Sequence, residues 1–179
     1  PRAQLVETAE ARGARLAEAL DWLPAGALPP ALMDGGRRWW LAEARDEASL
    51  RSALPDWDSI AALARATASM GVLAFARCHG QDYQVAARAF GGGPALFEDA
   101  ASGAANATLA AWLALRDALP GSAGHYQVSQ GREVGYVTIQ ASGGGAAQPT
   151  VNFKEARREG KVTPTITQDG RVFLNMAVK

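Results

Sequence analysis

The chain has 179 residues, 48% of them hydrophobic and 20% charged, with 18 basic and 18 acidic side chains. A net charge of zero removes the electrostatic reason to expect nucleic acid or an anionic membrane surface as partner. The length predicts one domain with a substantial core. The single cysteine, Cys78, excludes an internal disulfide and fits a reducing, cytoplasmic compartment. Beside only two histidines it offers no zinc cluster, so no metal is expected. No run of 18 apolar residues marks a membrane span, and no basic-plus-apolar start marks a signal peptide.

Pro1–Asp21 reads as a helix with Leu5, Ala9, Leu16, Ala17 and Leu20 on its apolar side, weakened at Gly13 by about 1 kcal/mol relative to Ala. Glu7, Glu10, Arg12 and Arg15 form its solvated face. With the Pro-broken stretch Trp22–Pro30 it makes a linker over residues 1–30, which reads as having lost what preceded it. Trp22 and Leu23 are expected to close over the end of a sheet. Residues 31–179 form the main lobe. Gly35-Gly36 leads into a strand over Arg37–Ala44. Its adjacent Trp39 and Trp40 must point to opposite faces, where packing is favoured over a ligand platform. Asp46–Leu54 is a short helix. Asp56 or Asp58 caps the next one, in which Ile60, Leu63, Ala64 and Thr67 keep helical spacing until Gly71.

Val72–Arg77 and Tyr83–Phe90 are strands joined as a hairpin through Cys78-His79. Gly91–Gly93 lacks the G-x-x-x-x-G-K-S/T pattern of a phosphate loop. The stretch that organises the chain is Glu98–Leu119. An acidic pair and a small-residue turn feed a helix over residues 104–119 that carries no charge until Arg116 and is expected to be buried on all sides. Pro120-Gly121 ends it. Ser102 or Gly103 stands at the N-cap, and the first backbone N–H groups make a cradle for a carboxylate. Asp99 lies near enough to exchange a proton there. The plainer reading is that Asp99 and Ser102 only cap a core helix.

Tyr126–Gln130 and Val134–Ala141 are strands bridged by Gly131-Arg132-Glu133, and Gly143–Gly145 marks a turn. Phe153–Lys161 is a charged, solvated segment. Val162–Thr167 and Arg171–Val178 flank Asp169-Gly170 as a hairpin over 162–178, expected to close a barrel around the central helix. Joining Lys179 to Pro1 would restore a continuous order of elements, so a rearranged chain is also considered.

Two motifs carry a resemblance. The first is Arg88-Ala89-Phe90, then Gly91-Gly92-Gly93-Pro94, then Glu98-Asp99-Ala100-Ala101-Ser102-Gly103-Ala104-Ala105. The second is Val128-Ser129-Gln130-Gly131-Arg132-Glu133-Val134-Gly135. They resemble the R-x-F, E-D-P-A-T-G-S-A and V-x-Q-G-x-x-M-G signatures of the PhzF-like family, relatives of phenazine-biosynthesis isomerases with the diaminopimelate-epimerase fold. The convincing part covers Gly71–Ala141, which corresponds to the C-terminal lobe.

The resemblance implies an α/β (α+β) fold: a single lobe whose bent, mostly antiparallel sheet or partial barrel wraps a buried central helix. It implies cofactor-independent isomerase or epimerase chemistry, in which a proton moves on a small carboxylated metabolite. Asp99 would handle the proton, and the backbone of Ser102, Gly103, Ala104 and Ala105 would hold the carboxylate. The family keeps a hydroxyl or thiol where this chain has Ala104, which disfavours two-base chemistry. It has Pro where this chain has Ala100, and Arg-Pro-Ser where this chain has Tyr136-Val137-Thr138. The family's acid–base Glu lies in a first lobe, in an N-x-x-E-T-x-F context that Glu7-Thr8 echoes without the Asn or the Phe. A second lobe from another chain or from a homodimer partner would therefore be needed. The alternative is a non-catalytic small-molecule-binding or structural module that retains the lobe.

Overall fold

The computed structural model of the chain describes residues 3–8, 13–120, 125–135, 138–143, 160–166 and 172–178. Eight strands form one sheet: β1 (Gln4–Thr8), β2 (Ala31–Asp34), β3 (Arg38–Glu43), β4 (Gly71–Arg77), β5 (Val85–Gly92), β6 (Leu96–Asp99), β7 (His125–Gln130) and β8 (Thr138–Gly143). Seven run in the order β1-β2-β3-β4-β5-β7-β8, and β6 pairs with β5 beyond the reach of β7. Only β3–β4 and β5–β7 are parallel, so the sheet is mostly antiparallel.

Strand periodicity builds two cores. Successive side chains leave a strand on opposite faces. Val72, Ala74 and Ala76 of β4 therefore join Leu32, Trp40, Ala86 and Phe90 on one face, while Leu73 and Phe75 join Met33, Trp39, Ala87 and Ala89 on the other. The first face is covered by α1 (Ala14–Leu20), α2 (Glu47–Ser52) and α3 (Trp57–Thr67). The second is covered by α4 (Gly103–Leu115) through Ala105, Leu109, Trp112 and Leu113. Both tryptophans of β3 are thus core residues, and the Trp40 indole N–H donates to Thr67 Oγ1 at 3.2 Å. Helix α4 lies alongside β2 and β3 and also β8, near opposite ends of the sheet, which requires the sheet to curl around it. The sheet does not close into a barrel.

The linker helix expected over Pro1–Asp21 is corrected. Gln4–Thr8 is a strand paired antiparallel with β2, with a bulge between Leu5 and Glu7, and among the described residues of this stretch only Ala14–Leu20 is helical. The run Leu5-Val6 gains a backbone ladder from β2 that its spacing did not signal. Trp22 does pack into a core, edge-on to Phe90 at 5.1 Å. Strands β2 and β6 are too short, at four residues each, to show periodicity in the sequence.

The helix ends also differ from expectation. Helix α3 stops at Thr67, well before Gly71, with Ala68 left-handed (φ 50). Gly71 instead opens β4, where a Cβ would overlap the Phe90 carbonyl oxygen. Helix α4 stops well before Pro120. Asp117 turns left-handed (φ 52), its N–H donates to Ala114 O at 3.1 Å, and the Ala118 N–H donates to Leu113 O at 2.8 Å, forming a Schellman cap. Nor is α4 buried on all sides: Ala104, Ala114 and Leu115 are exposed.

The C-terminal strands β9 (Gly160–Ile166) and β10 (Val172–Val178) pair antiparallel as a separate two-stranded sheet, so they do not extend the main one as barrel-closing strands. The Asp169-Gly170 turn, most of Phe153–Lys161 and both chain ends, Pro1 and Lys179, lie outside the described residues.

Candidate functional site

The two sequence motifs meet in space at the start of α4. Strand β5 carries Arg88, whose side chain faces the α1–α3 layer and is only 5% exposed as a residue. Its guanidinium grips Glu98 of β6 through two hydrogen bonds of 2.9 Å, and its Nη1 donates to the carbonyls of Leu50 and Ala53 at 3.0 and 2.7 Å. A fork of donors against a carboxylate is the strong form of a charge-assisted bond. The same guanidinium lies 4.9 Å over Phe90, the third residue of the Arg-x-Phe motif. Glu98 is thereby fixed, and with it the adjoining Asp99 at the end of β6.

The second motif reaches the same turn from β7. After Gln130, Gly131 is left-handed (φ 86), and a Cβ there would overlap the Ala100 carbonyl oxygen. Only glycine allows this approach. A short 3-10 turn, Arg132–Val134, follows. Glu133 in that turn accepts from Arg51 at 3.1 Å, and Arg51 also donates to Ser129 Oγ at 3.0 Å and to Glu47 at 3.1 Å. Burial weighs against the Glu47 carboxylate, but hydrogen bonds from Tyr83, Cys78 and Arg51 hold its pKa below the usual value.

Asp99 is half-buried, and its Oδ1 accepts the Ala101 N–H at 3.0 Å. Its second carboxylate oxygen has no hydrogen-bond partner among the described residues. Ser102 is the N-cap residue, 6% exposed, with extended backbone (φ −88, ψ 94), yet its side chain makes no capping bond. Neither Asp99 nor Ser102 therefore spends its side chain on the helix N–H groups. The first helical acceptor is the Ser102 carbonyl, which takes the Asn106 N–H at 3.1 Å. The N–H groups of Gly103, Ala104 and Ala105 have no acceptor among the described residues, as the geometry of a helix start requires. Gly103 is half-exposed and Ala104 exposed, while the Ala105 side chain is buried in the core of α4.

The structure thus brings Asp99, Ser102, Gly103 and Ala104 to one end of α4. Glu7 stands half-buried on the edge strand β1, opposite Leu32. Two residues of this region carry no role in the sequence reading, although Gln130 stands in the second motif: Gln130 and Asn106, at 0% and 1% exposure. A polar amide inside an otherwise apolar helix was the signal for Asn106. Among the described residues no group of three or more His, Cys, Asp or Glu is placed to hold a metal. No described helix is long and apolar enough to cross a membrane. Two clefts of about 460 and 480 Å3 flank α1, and neither is lined by Asp99 or by α4.

Solved structures share this architecture. A PhzF-family phenazine biosynthesis protein from Enterococcus faecalis aligns over 99% of this chain and 52% of its own, at 16% identity and a TM-score of 0.53. The Bacillus anthracis phenazine biosynthesis protein of the PhzF family aligns over 98% of this chain and 54% of its own, at 13% identity and a TM-score of 0.60. At these identities the likeness concerns the fold. The chain spans about half the length of either structure. No curated protein matches it. The family model for phenazine biosynthesis-like proteins matches residues 1–163, well beyond the two motifs and including strand β1, and the chain belongs to this PhzF-like family.

Proposed function

We propose that this chain is one lobe of a cofactor-independent, isomerase-type enzyme that moves a proton on a small carboxylated metabolite. The observation that carries this reading is the division of labour at the start of α4. The free N–H groups of Gly103, Ala104 and Ala105 and the uncommitted hydroxyl of the buried Ser102 gather at the helix start beside a carboxylate, Asp99, with one oxygen unengaged. The positive end of a helix favours an anion, and it stabilises the negative charge that grows as a proton leaves a carbon next to a carboxylate. Asp99 is placed to take or return that proton. Ala104 supplies no second proton carrier, so the reading is one-base isomerisation rather than two-base racemisation.

The chain spans about half the length of the PhzF-family structures it resembles, and in this reading the remaining wall of the site would come from a second lobe, in another chain or a homodimer partner. The test has two parts. Native mass measurement should give a complex rather than a lone chain. That complex should then incorporate solvent deuterium into one or more of a panel of small amino and unsaturated carboxylic acids, followed by proton NMR. Asp99→Asn should abolish exchange without lowering the melting temperature. Exchange that survives Asp99→Asn would remove Asp99 from the chemistry, and a lone monomer would remove the two-lobed site.

A further inference from the structure

We propose that Gln130 and Asn106 are positioning residues that aim the N–H groups at the start of α4 toward an incoming carboxylate, a proposal that rests on the functional reading above. Gln130 Nε2 donates to the Asp99 carbonyl at 2.6 Å. Its Oε1 accepts from Asn106 Nδ2 at 2.7 Å, and the same Asn106 Nδ2 donates to the Ser102 carbonyl at 2.8 Å. The two amides therefore tie the first and last carbonyls of the Asp99–Ser102 turn to one buried point. In a trans peptide the C=O and the following N–H point opposite ways. Fixing the Ser102 carbonyl inward fixes the Gly103 N–H outward, and fixing the Asp99 carbonyl fixes the start of the turn that carries the Asp99 carboxylate.

Asn106 makes its two donor bonds at a cost. Its Oδ1 has no hydrogen-bond partner among the described residues although the residue is 1% exposed. A buried acceptor without a partner is a cost that Ala or Leu would avoid at a position packed inside an apolar helix. What Asn106 supplies is the donor, shared between Ser102 and Gln130. Gln130 in turn sits immediately before Gly131, whose backbone abuts Ala100. Side chain and backbone of β7 thus press on the same four-residue turn.

The probe is trifluoroacetate, titrated into the full chain and followed by the backbone amide shifts of Ser102, Gly103, Ala104 and Ala105. The wild type should bind saturably. Gln130→Met and Asn106→Leu, which stay close in side-chain length and remove the amides, should each weaken binding by about tenfold or more, because misaligned donors lose most of their value. Ile60→Val, on the opposite face of the sheet, is the control: it should lower the melting temperature and leave the affinity unchanged. Should Gln130→Met not fold, Gln130→Glu decides, since it keeps the acceptor toward Asn106 and loses the donor toward Asp99. Folded Gln130 and Asn106 variants that bind like the wild type would overturn the positioning role and leave the carboxylate site standing. A wild type that does not bind saturably would overturn both.

Discussion

Arg88 and Glu98 are diagonal neighbours on the β5–β6 ladder, where Phe90 stands opposite Glu98, and are joined by two hydrogen bonds of 2.9 Å, with side chains only 6% and 8% exposed. The pair links the Arg-x-Phe motif to the acidic motif, and it fixes the residue immediately before Asp99. Arg88 also closes the carbonyl end of α2 at Leu50 and Ala53. Removing Arg88 leaves the Glu98 charge buried without its partner, takes the donor from the Ala53 carbonyl, and leaves the Leu50 carbonyl only the Ala53 N–H at 3.4 Å. Arg88→Met should therefore destabilise the chain by about 3–5 kcal/mol, measured by urea unfolding. Replacing Arg88 and Glu98 together by apolar residues should cost less than Arg88→Met alone.

Two helices end on non-glycine residues in the left-handed region, where Ala is strained more than Asp. Ala68 terminates α3 at φ 50 and Asp117 follows α4 at φ 52. A side chain there costs roughly 1–2 kcal/mol, which glycine avoids. Ala68→Gly and Asp117→Gly should each raise stability by about 1 kcal/mol, read as a higher thermal midpoint.

Asp46 caps α2 by accepting the Ser49 N–H at 2.6 Å, and that backbone bond, with the Ser49 and Arg45 side chains, lowers its pKa to about 2. A depressed carboxylate pKa stabilises the folded state above the unfolded value of 3.8, and that stability is lost as pH falls toward the folded value. The stability difference between wild type and Asp46→Ala should be flat at neutral pH and shrink between about pH 4 and pH 2. Chemical unfolding at a series of pH values checks the window.

Cys78 is buried, and burial together with the neighbouring Glu47 pushes its thiol up to about 12. At pH 8 only about one molecule in ten thousand would carry the reactive thiolate. Labelling of the native protein should be slow, and it should accelerate in urea in step with unfolding. Fast labelling of the native state at pH 8 would show that the thiol is not held in this environment.

Gly131→Ala would drive a methyl group into the Ala100 carbonyl. It should shift the amide resonances of residues 99–105 and lower the thermal midpoint, since the positive φ and the contact both oppose a side chain. An alanine variant with unaltered resonances in that turn would show that the approach of β7 to the turn is not tight.

The sequence by itself determined the family motifs, the two short helices that begin at Asp46 and at Asp56 or Asp58, the β4–β5 hairpin and the start of α4, because each is set by local spacing, a capping side chain or a glycine. The opposite orientation of Trp39 and Trp40 was equally legible, since strand geometry alone dictates it. Strand β1 was not. Leu5-Val6 lies in a helix-compatible run, and only pairing with Ala31–Asp34 supplies the ladder that makes it a strand. The stop of α4 at Asp117 rather than Pro120 was decided by a left-handed cap at a residue other than glycine. The meeting of Arg88 with Glu98, and of Gln130 with Asp99 and Asn106, spans 10 to 31 positions of sequence. Such contacts carry no local signal; they exist because β6 folds back on β5 and β7 lies along the same edge of β5 just beyond it, bringing both motifs to one end of one helix.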